Sequence, residues 1–347
     1  MPDSTPSRGL PRPGRPVRRA RYCALPAGLG AAAPILRAGD IVDVVAPGFR
    51  CSDEHLERGV EFLRRLELVP RVPPDLFGAD LLCANTDAQR FAQLRRALWA
   101  RDSRAVWCVR GGYGALRLIP RLLRLAPPAH PKLFVGYSDA TTLHYLLNLH
   151  WQWPSLHGPL LDRLGAAAIR EEERAELHAV LFGAGPQLRY TGLAPLNAAA
   201  RRGAPVTGRV FGGNLTVLQS LLGTPLQRRS AGILFLEDIG ERGYRVDRML
   251  EHFSQAGLLA GVGAVVFGTF LGGNEPDGRN LVRDVLERFA AAQRVPVFAG
   301  LDAGHGEYQR PVFLGSPARL LRGAQGELAV AVPRFDSGAR RARARKR

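Results

Sequence analysis

The chain has 347 residues, of which 46% are apolar, 23% charged and 7% aromatic. That is an ordinary globular composition, and it excludes collagen-like, coiled-coil and wholly disordered chains. The formal net charge is +17, from 48 basic and 31 acidic side chains.

Much of that charge sits at the ends. Residues 1–22 hold six Arg against one Asp, and residues 336–347 hold six basic side chains against one Asp. Each end therefore carries +5, leaving +7 on the body. Only Lys132 and Lys346 are lysines; Arg in place of Lys, beside abundant Ala, Gly and Pro, follows a GC-rich coding bias. Terminal charge runs are ordinarily solvated tails, so nucleic acid is expected only as a nonspecific phosphate contact. The length suits two domains or one large one, with a core that needs no staples. The longest apolar candidate, Ala24–Leu36, spans 13 residues with two Gly and two Pro, too short for a transmembrane helix. The cysteines Cys23, Cys51, Cys83 and Cys108 form no CxxC pair. That argues against zinc or thioredoxin-like chemistry and suits a reducing compartment.

In chain order, residues 1–33 read as a disordered Pro/Gly/Arg-rich extension. Its basic start and short apolar stretch imitate a signal peptide, and Arg18-Arg19 hints at a twin-arginine signal; the Gly and Pro content argues against export. Asp40–Pro47 is a buried-strand run. Asp53–Leu66 is a helix capped by Ser52 or Asp53, and Thr86–Ala100 is a helix capped by Thr86. Arg104–Val109 and Pro131–Gly136 are strands, and Ala140–Leu149 is a helix. This alternation predicts a doubly wound, mostly parallel sheet. Residues 166–185 read as a helix and 186–207 as an irregular linker. Strands follow at Gly208–Phe211, Gly232–Leu236, Val262–Thr269 and Val295–Phe298. Helices are predicted at Gly213–Leu222, Arg245–Ala256 and Asn280–Gln293, with a closing hairpin at Ala318–Val332.

Four segments could carry chemistry. In Val135-Gly-Tyr-Ser138-Asp139-Ala140 a serine stands between a strand and a helix, the setting of a nucleophile elbow, although a serine there can also merely cap the helix. Arg110-Gly111-Gly112-Tyr113-Gly114 follows a strand and either lets a ligand approach the backbone or is a plain turn. Glu237 ends the buried run Ile233–Leu236; the alternative is a solvated acidic turn. His305 lies between Gly304 and Gly306, with Glu307 beside it. Among the other histidines, His55, His150, His178 and His252 read as helix-surface residues and His130 as a loop residue. His144 and His157 compete with His305 as general base.

Taken together, Ala46-Pro47, the Arg110–Gly114 loop, Gly136-Tyr-Ser-Asp139 with Thr142-Leu-His144, His157-Gly-Pro159, Gly212-Gly-Asn-Leu215, Leu236-Glu-Asp-Ile-Gly-Glu241 and Gly304-His305 form an ordered set. The set resembles the LD-carboxypeptidase family, the muramoyltetrapeptide carboxypeptidases, from about Pro34 to Pro333. The resemblance implies an α/β fold with an N-terminal doubly wound, mostly parallel sheet domain (34–165). A linker (166–207) leads to a C-terminal mixed domain built on a small barrel-like β-sheet (208–335), and a basic tail (336–347) follows. It also implies Ser138 as nucleophile, Glu237 as acid and His305 as base, and no catalytic role for His157.

The backbone N–H groups of Asp139 and Gly112 (or Gly111) are expected to hold the oxyanion. Arg110 and Gly111 are expected to bind substrate, Arg110 by pairing a terminal carboxylate. The implied enzyme is a cytoplasmic, homodimeric serine carboxypeptidase that needs no cofactor or metal. It would release D-alanine from murein tetrapeptides during cell-wall peptide recycling. A microcin C self-immunity-type peptidase, acting on an aminoacyl-nucleotide-like toxin, is the nearest alternative; a basic nucleic-acid or surface-binding protein is the second. One departure stands out: Gly48 occupies the place where the family usually has Ser after Ala46-Pro47.

Overall fold

The computed structural model describes residues 35–166, 169–183 and 185–335. The expected extension, the basic tail and Cys23 lie outside the described residues. The chain begins with β1 (Ile41–Val45), α1 (Asp53–Arg65), β2 (Val69–Arg71), α2 (Asp87–Trp99), β3 (Ser103–Cys108), α3 (Ile119–Leu122) and β4 (Leu133–Gly136). A tight 3-10 turn at Ser138–Ala140 leads into α4 (Thr141–Tyr145), then β5 (Ser155–His157), α5 (Leu161–Gly165) and α6 (Glu171–Phe182). There follow β6 (Gln187–Pro195), α7 (Ala198–Arg201), β7 (Val206–Asn214), α8 (Leu215–Gln219), β8 (Ile233–Ile239), α9 (Gly243–Gln255) and β9 (Ala264–Leu271). The last elements are α10 (Val282–Ala292), β10 (Val297–Ala299), β11 (Val312–Leu314), β12 (Pro317–Leu321) and β13 (Gly326–Ala331).

Local chemistry starts the helices. Ser52 Oγ accepts the His55 N–H at 3.2 Å and Thr86 Oγ1 accepts the Gln89 N–H at 3.3 Å, satisfying donors that α1 and α2 leave unpaired. The short apolar runs of β1, β3, β4 and β8 become strands buried on both faces, joined by shorter or half-exposed strands. Among the described residues they form two sheets. The first, ordered β11-β5-β4-β3-β1-β2, is parallel except for β11, which pairs antiparallel with β5. The second is a closed barrel ordered β10-β6-β13-β12-β7-β8-β9, in which β7, β8, β9 and β10 run parallel. The fold is thus α/β, with a doubly wound, mostly parallel sheet and a small mixed barrel, as the sequence predicts. No helix among the described residues is long and apolar enough to cross a membrane. Cys51, Cys83 and Cys108 are buried free thiols.

Three local expectations need correction. The helix expected over Ala140–Leu149 is α4 followed by a π-helical turn at Leu146–His150. The stretch 186–207 is not an irregular linker: β6 enters the barrel with Leu188, Tyr190 and Leu193 buried and their neighbours largely exposed. Gly192 and Pro195 hide this alternation, because they read as loop punctuation. Lastly β11, within the span expected to form the second domain, returns to the first sheet. A three-residue strand that pairs across more than 150 positions leaves no local signature.

Lys132 shows how tightly the first layer is fastened. Its buried Nζ donates to the carbonyls of Ala97 (2.8 Å) and Ala100 (2.5 Å) and to Ser103 Oγ (2.7 Å). The first two are unpaired groups at the C-terminal end of α2, where a cation is favoured. Burial pulls this ammonium down to about 8, and the three acceptors favour the charged form at neutral pH. Lys132→Met keeps the stem but orphans those acceptors. It should lower stability by about 2–4 kcal/mol in urea unfolding; a loss below about 0.5 kcal/mol would contradict this role.

Candidate active site

The elbow is built by close packing. A side chain on Gly136 would come within 2.9 Å of the Ala140 Cβ, so the turn between β4 and α4 closes only with small residues at both places. Between them Ser138 has φ +61°, the left-handed region that a non-glycine residue enters at a cost of roughly 1–3 kcal/mol. The cap positions of this turn and of α4 are Tyr137 and Ala140, not Ser138, so the capping alternative does not describe it.

The glycine loop lies directly over this serine. A Cβ on Gly111 would stand 2.6 Å from Ser138 Cβ and 2.8 Å from its Oγ. One on Gly48 would stand 2.2 Å from the Gly111 carbonyl oxygen and 2.9 Å from Asp139 Oδ2, so no side chain fits at position 48 as this loop lies. Asp139 points away from the cavity and fastens the loop, its Oδ2 accepting the Ala115 N–H at 2.8 Å. Burial pushes this carboxyl up to about 6, against the pull of the Ala115 N–H, the Arg90 charge and the Gly114 N–H. Buried Arg90 ties the same loop to β1 by donating to the Gly114 carbonyl (3.0 Å) and the Pro47 carbonyl.

The acid and the imidazole come from the barrel. Glu237 sits near the end of β8 with no exposed surface. Its Oε2 accepts from His305 Nδ1 at 2.7 Å, and His157 Nε2 approaches its Oε1 at 3.8 Å. Burial opposes ionisation of Glu237, but His157 and His305 outweigh it and hold the carboxyl down at about 2. Gly304 permits this closeness, because a Cβ there would stand 2.8 Å from Glu237 Oε2. Neighbouring Asp238 faces the other way, as strand alternation requires. It accepts from Asn214 Nδ2 (3.0 Å), the Thr216 N–H (2.9 Å) and Thr216 Oγ1 (2.8 Å). His144 is a satisfied core residue, with Nε2 on the Gly136 carbonyl (2.8 Å) and Nδ1 on Ser155 Oγ (2.7 Å); burial holds it at about 3.

Ser138, His305, Tyr137, Gly111, Gly112 and Arg110 share one cavity of about 480 Å³. The rings of Tyr137 and His305 meet edge to face at 4.7 Å. Arg110 is partly engaged already, its Nε lying 3.5 Å from Asp162 Oδ2. The wall also includes Phe49, Leu160, Asp162 and Arg163, which no sequence motif singles out, and His55, which reads in the sequence as helix surface. Arg163 donates to Glu173 Oε1 (3.2 Å) and to the Glu307 carbonyl (2.8 Å), so it braces the His305 loop. Its one signal in the sequence is its place just beyond His157-Gly-Pro159. Glu307, beside His305 in the sequence, turns outward as a solvated charge and receives Arg170 at 2.5 Å. Among the described residues, no group of three or more His, Cys, Asp or Glu side chains is placed to hold a metal ion.

The elbow serine and the His305 imidazole line one cavity, and the buried Glu237 carboxylate stands behind the imidazole. Residues 42–158 match the family model of the LD-carboxypeptidase N-terminal domain and residues 207–320 that of the LD-carboxypeptidase C-terminal domain. The chain belongs to the LD-carboxypeptidase family. It is similar to the murein tetrapeptide carboxypeptidase of Pseudomonas aeruginosa, with 32% identity over 68% of this chain and 78% of that protein. The crystal structure of the Oxalobacter formigenes muramoyltetrapeptide carboxypeptidase superposes with a TM-score of 0.72 at 26% identity, covering 84% of this chain and 98% of that one. The microcin C7 self-immunity protein MccF of Escherichia coli is 25% identical over 75% of this chain and 83% of its own.

The low value for Glu237 has a consequence for acid stability. A carboxyl held below its unfolded value of about 4.5 contributes stability above that pH, and the contribution is lost as pH falls toward 2. Glu237→Gln removes the titration. In urea unfolding the parent should lose more stability between pH 5 and pH 3 than the variant does; parallel losses would contradict the ionised, imidazole-bound carboxylate.

Proposed function

We propose that this carboxypeptidase uses Ser138 as its nucleophile and cleaves the amide before a C-terminal D-amino acid of a murein-type peptide. The 2.7 Å bond from His305 Nδ1 to Glu237 carries this reading. It fixes the tautomer that leaves Nε2 as the basic nitrogen, on a ring that shares its cavity with a serine held in the left-handed conformation.

His305 Nε2 takes the Ser138 hydroxyl proton as Oγ attacks the scissile carbonyl, and returns it to the leaving amine. Water then repeats the sequence on the acyl-enzyme. Glu237 orients the imidazole and stabilises its cationic form. The N–H groups of Asp139 and Gly112 hold the oxyanion, supported by the Asp139 carboxyl that anchors the glycine loop. The terminal carboxylate of the substrate pairs with Arg110, for which it competes with Asp162, or with Arg163. The setting is murein peptide recycling in the cytoplasm, by a homodimer.

Ser138→Ala should lower kcat for release of D-alanine from muramoyl tetrapeptide by about 10⁴-fold or more, with folding intact. Activity within tenfold of the parent overturns the assignment. Amidating the terminal carboxylate should reduce kcat/KM by about 10- to 100-fold. Fast cleavage of an acyl-sulfamoyl adenylate with poor release of D-alanine would instead place the protein with the microcin-type peptidases.

A further inference from the structure

Three buried polar atoms beside the acid lack partners. Both ring nitrogens of His157 and Oε1 of Glu237 have no hydrogen bond, and neither residue has exposed surface. Unpaired atoms of this kind cost about 1–3 kcal/mol each, and in a native site they call for an explanation. Nε2 and Oε1 face each other at 3.8 Å, so a shift of under about 1 Å makes a hydrogen bond. A neutral imidazole carries its hydrogen on one nitrogen. On Nε2 it pairs two of the three orphans and leaves only a lone pair on Nδ1; on Nδ1 it leaves all three unmet.

We propose that His157 is the positioning residue of the acid: its imidazole donates Nε2–H to Oε1 of Glu237 and fixes the carboxylate that receives His305. This rests on the serine mechanism above and adds a second histidine to it. The ring is well held for that task, meeting Phe235 edge-on at 5.2 Å and Tyr137 at 5.8 Å. Tyr137 also touches His305, so one aromatic ring lies against both imidazoles that flank the carboxylate. With a donor on each oxygen the carboxylate cannot rotate away from His305. With one donor it is free to turn, and its undivided charge makes it a stronger base toward the His305 N–H.

The ionisable groups around this centre come from several elements. They are His157 on β5, Glu237 and Asp238 on β8, Tyr137 at the elbow, His144 on α4 and His305 in its loop, with Asp162, Arg163 and Glu173 acting on Tyr137 from α5 and α6. Among them, His157 meets the free oxygen of the acid.

The test compares His157→Phe, which keeps a ring and loses the donor, with His157→Gln, which keeps a donor. The Phe variant should lose about 10- to 100-fold in kcat with KM within threefold. The acidic limb of its kcat/KM profile should move to higher pH, since a more basic carboxylate holds the proton on His305 more strongly. The Gln variant should recover most of the rate and the limb. A Phe variant with the parent's kcat and pH profile overturns the proposal. A readout independent of catalysis guards against misfolded variants and against failure of the serine mechanism itself. Long-range ¹H–¹⁵N spectra of the parent at pH 8 should show His157 as the Nε2–H tautomer, and the Nδ1–H tautomer would refute the role even if Ser138 proves essential.

Discussion

The antiparallel pairing of β11 with β5 is the contact on which the site depends. Val312 lies opposite His157, so the segment that carries His305 leaves the barrel at β10 and is fastened at its other end to the sheet that carries Ser138. A loop fastened to the barrel at one end and to the first sheet at the other has little freedom. Further bonds remove more of it: Gln309 N–H donates to Glu173 Oε1 at 2.9 Å, Arg310 forks onto Glu176, and Tyr190 donates to the Pro311 carbonyl. On the elbow side, the Asn214 N–H of β7 donates to Thr141 Oγ1 at 3.0 Å, joining the barrel to α4. The geometry of serine, imidazole and carboxylate is therefore a property of the joined sheets.

Burial then decides the charge states. Asp139 at the elbow and Glu237 in the barrel are both buried, and their surroundings shift their ionisation in opposite directions. Asp139 has backbone N–H groups and a distant guanidinium, and burial raises it to about 6. Glu237 is more deeply buried, yet two imidazoles overcome the desolvation and keep it ionised. One carboxyl thus anchors the glycine loop and the other is a fixed negative charge against the His305 imidazole.

Much of this was legible in the sequence. Ser138 stood out because strand, turn and helix succeed one another within six residues, and Glu237 because an acid closes an apolar run. Strand alternation puts Glu237 and Asp238 on opposite sides but does not by itself tell which meets His305; His305 is marked by its flanking glycines. Other features were hidden for physical reasons. The strand β6 was masked by Gly192 and Pro195, and the break in the helix after Tyr145 has no proline to announce it. His55 sits at the first turn of α1 and looks like surface until the fold brings it to the cavity wall. Arg163 and His157 acquire their surroundings only when β11 docks on β5, a pairing between segments more than 150 residues apart.

The central claim is that Ser138, the His305–Glu237 pair and the Gly112 and Asp139 N–H groups converge on one scissile carbonyl. A crystal structure of the Ser138→Ala protein with intact muramoyl tetrapeptide tests it most directly. The account predicts the carbonyl carbon before the terminal D-alanine about 3–3.5 Å from the place of the missing Oγ, with its oxygen accepting from both N–H groups. A tetrapeptide bound with that carbonyl turned away from Gly112, or seated outside the cavity that Ser138 and His305 share, would contradict it.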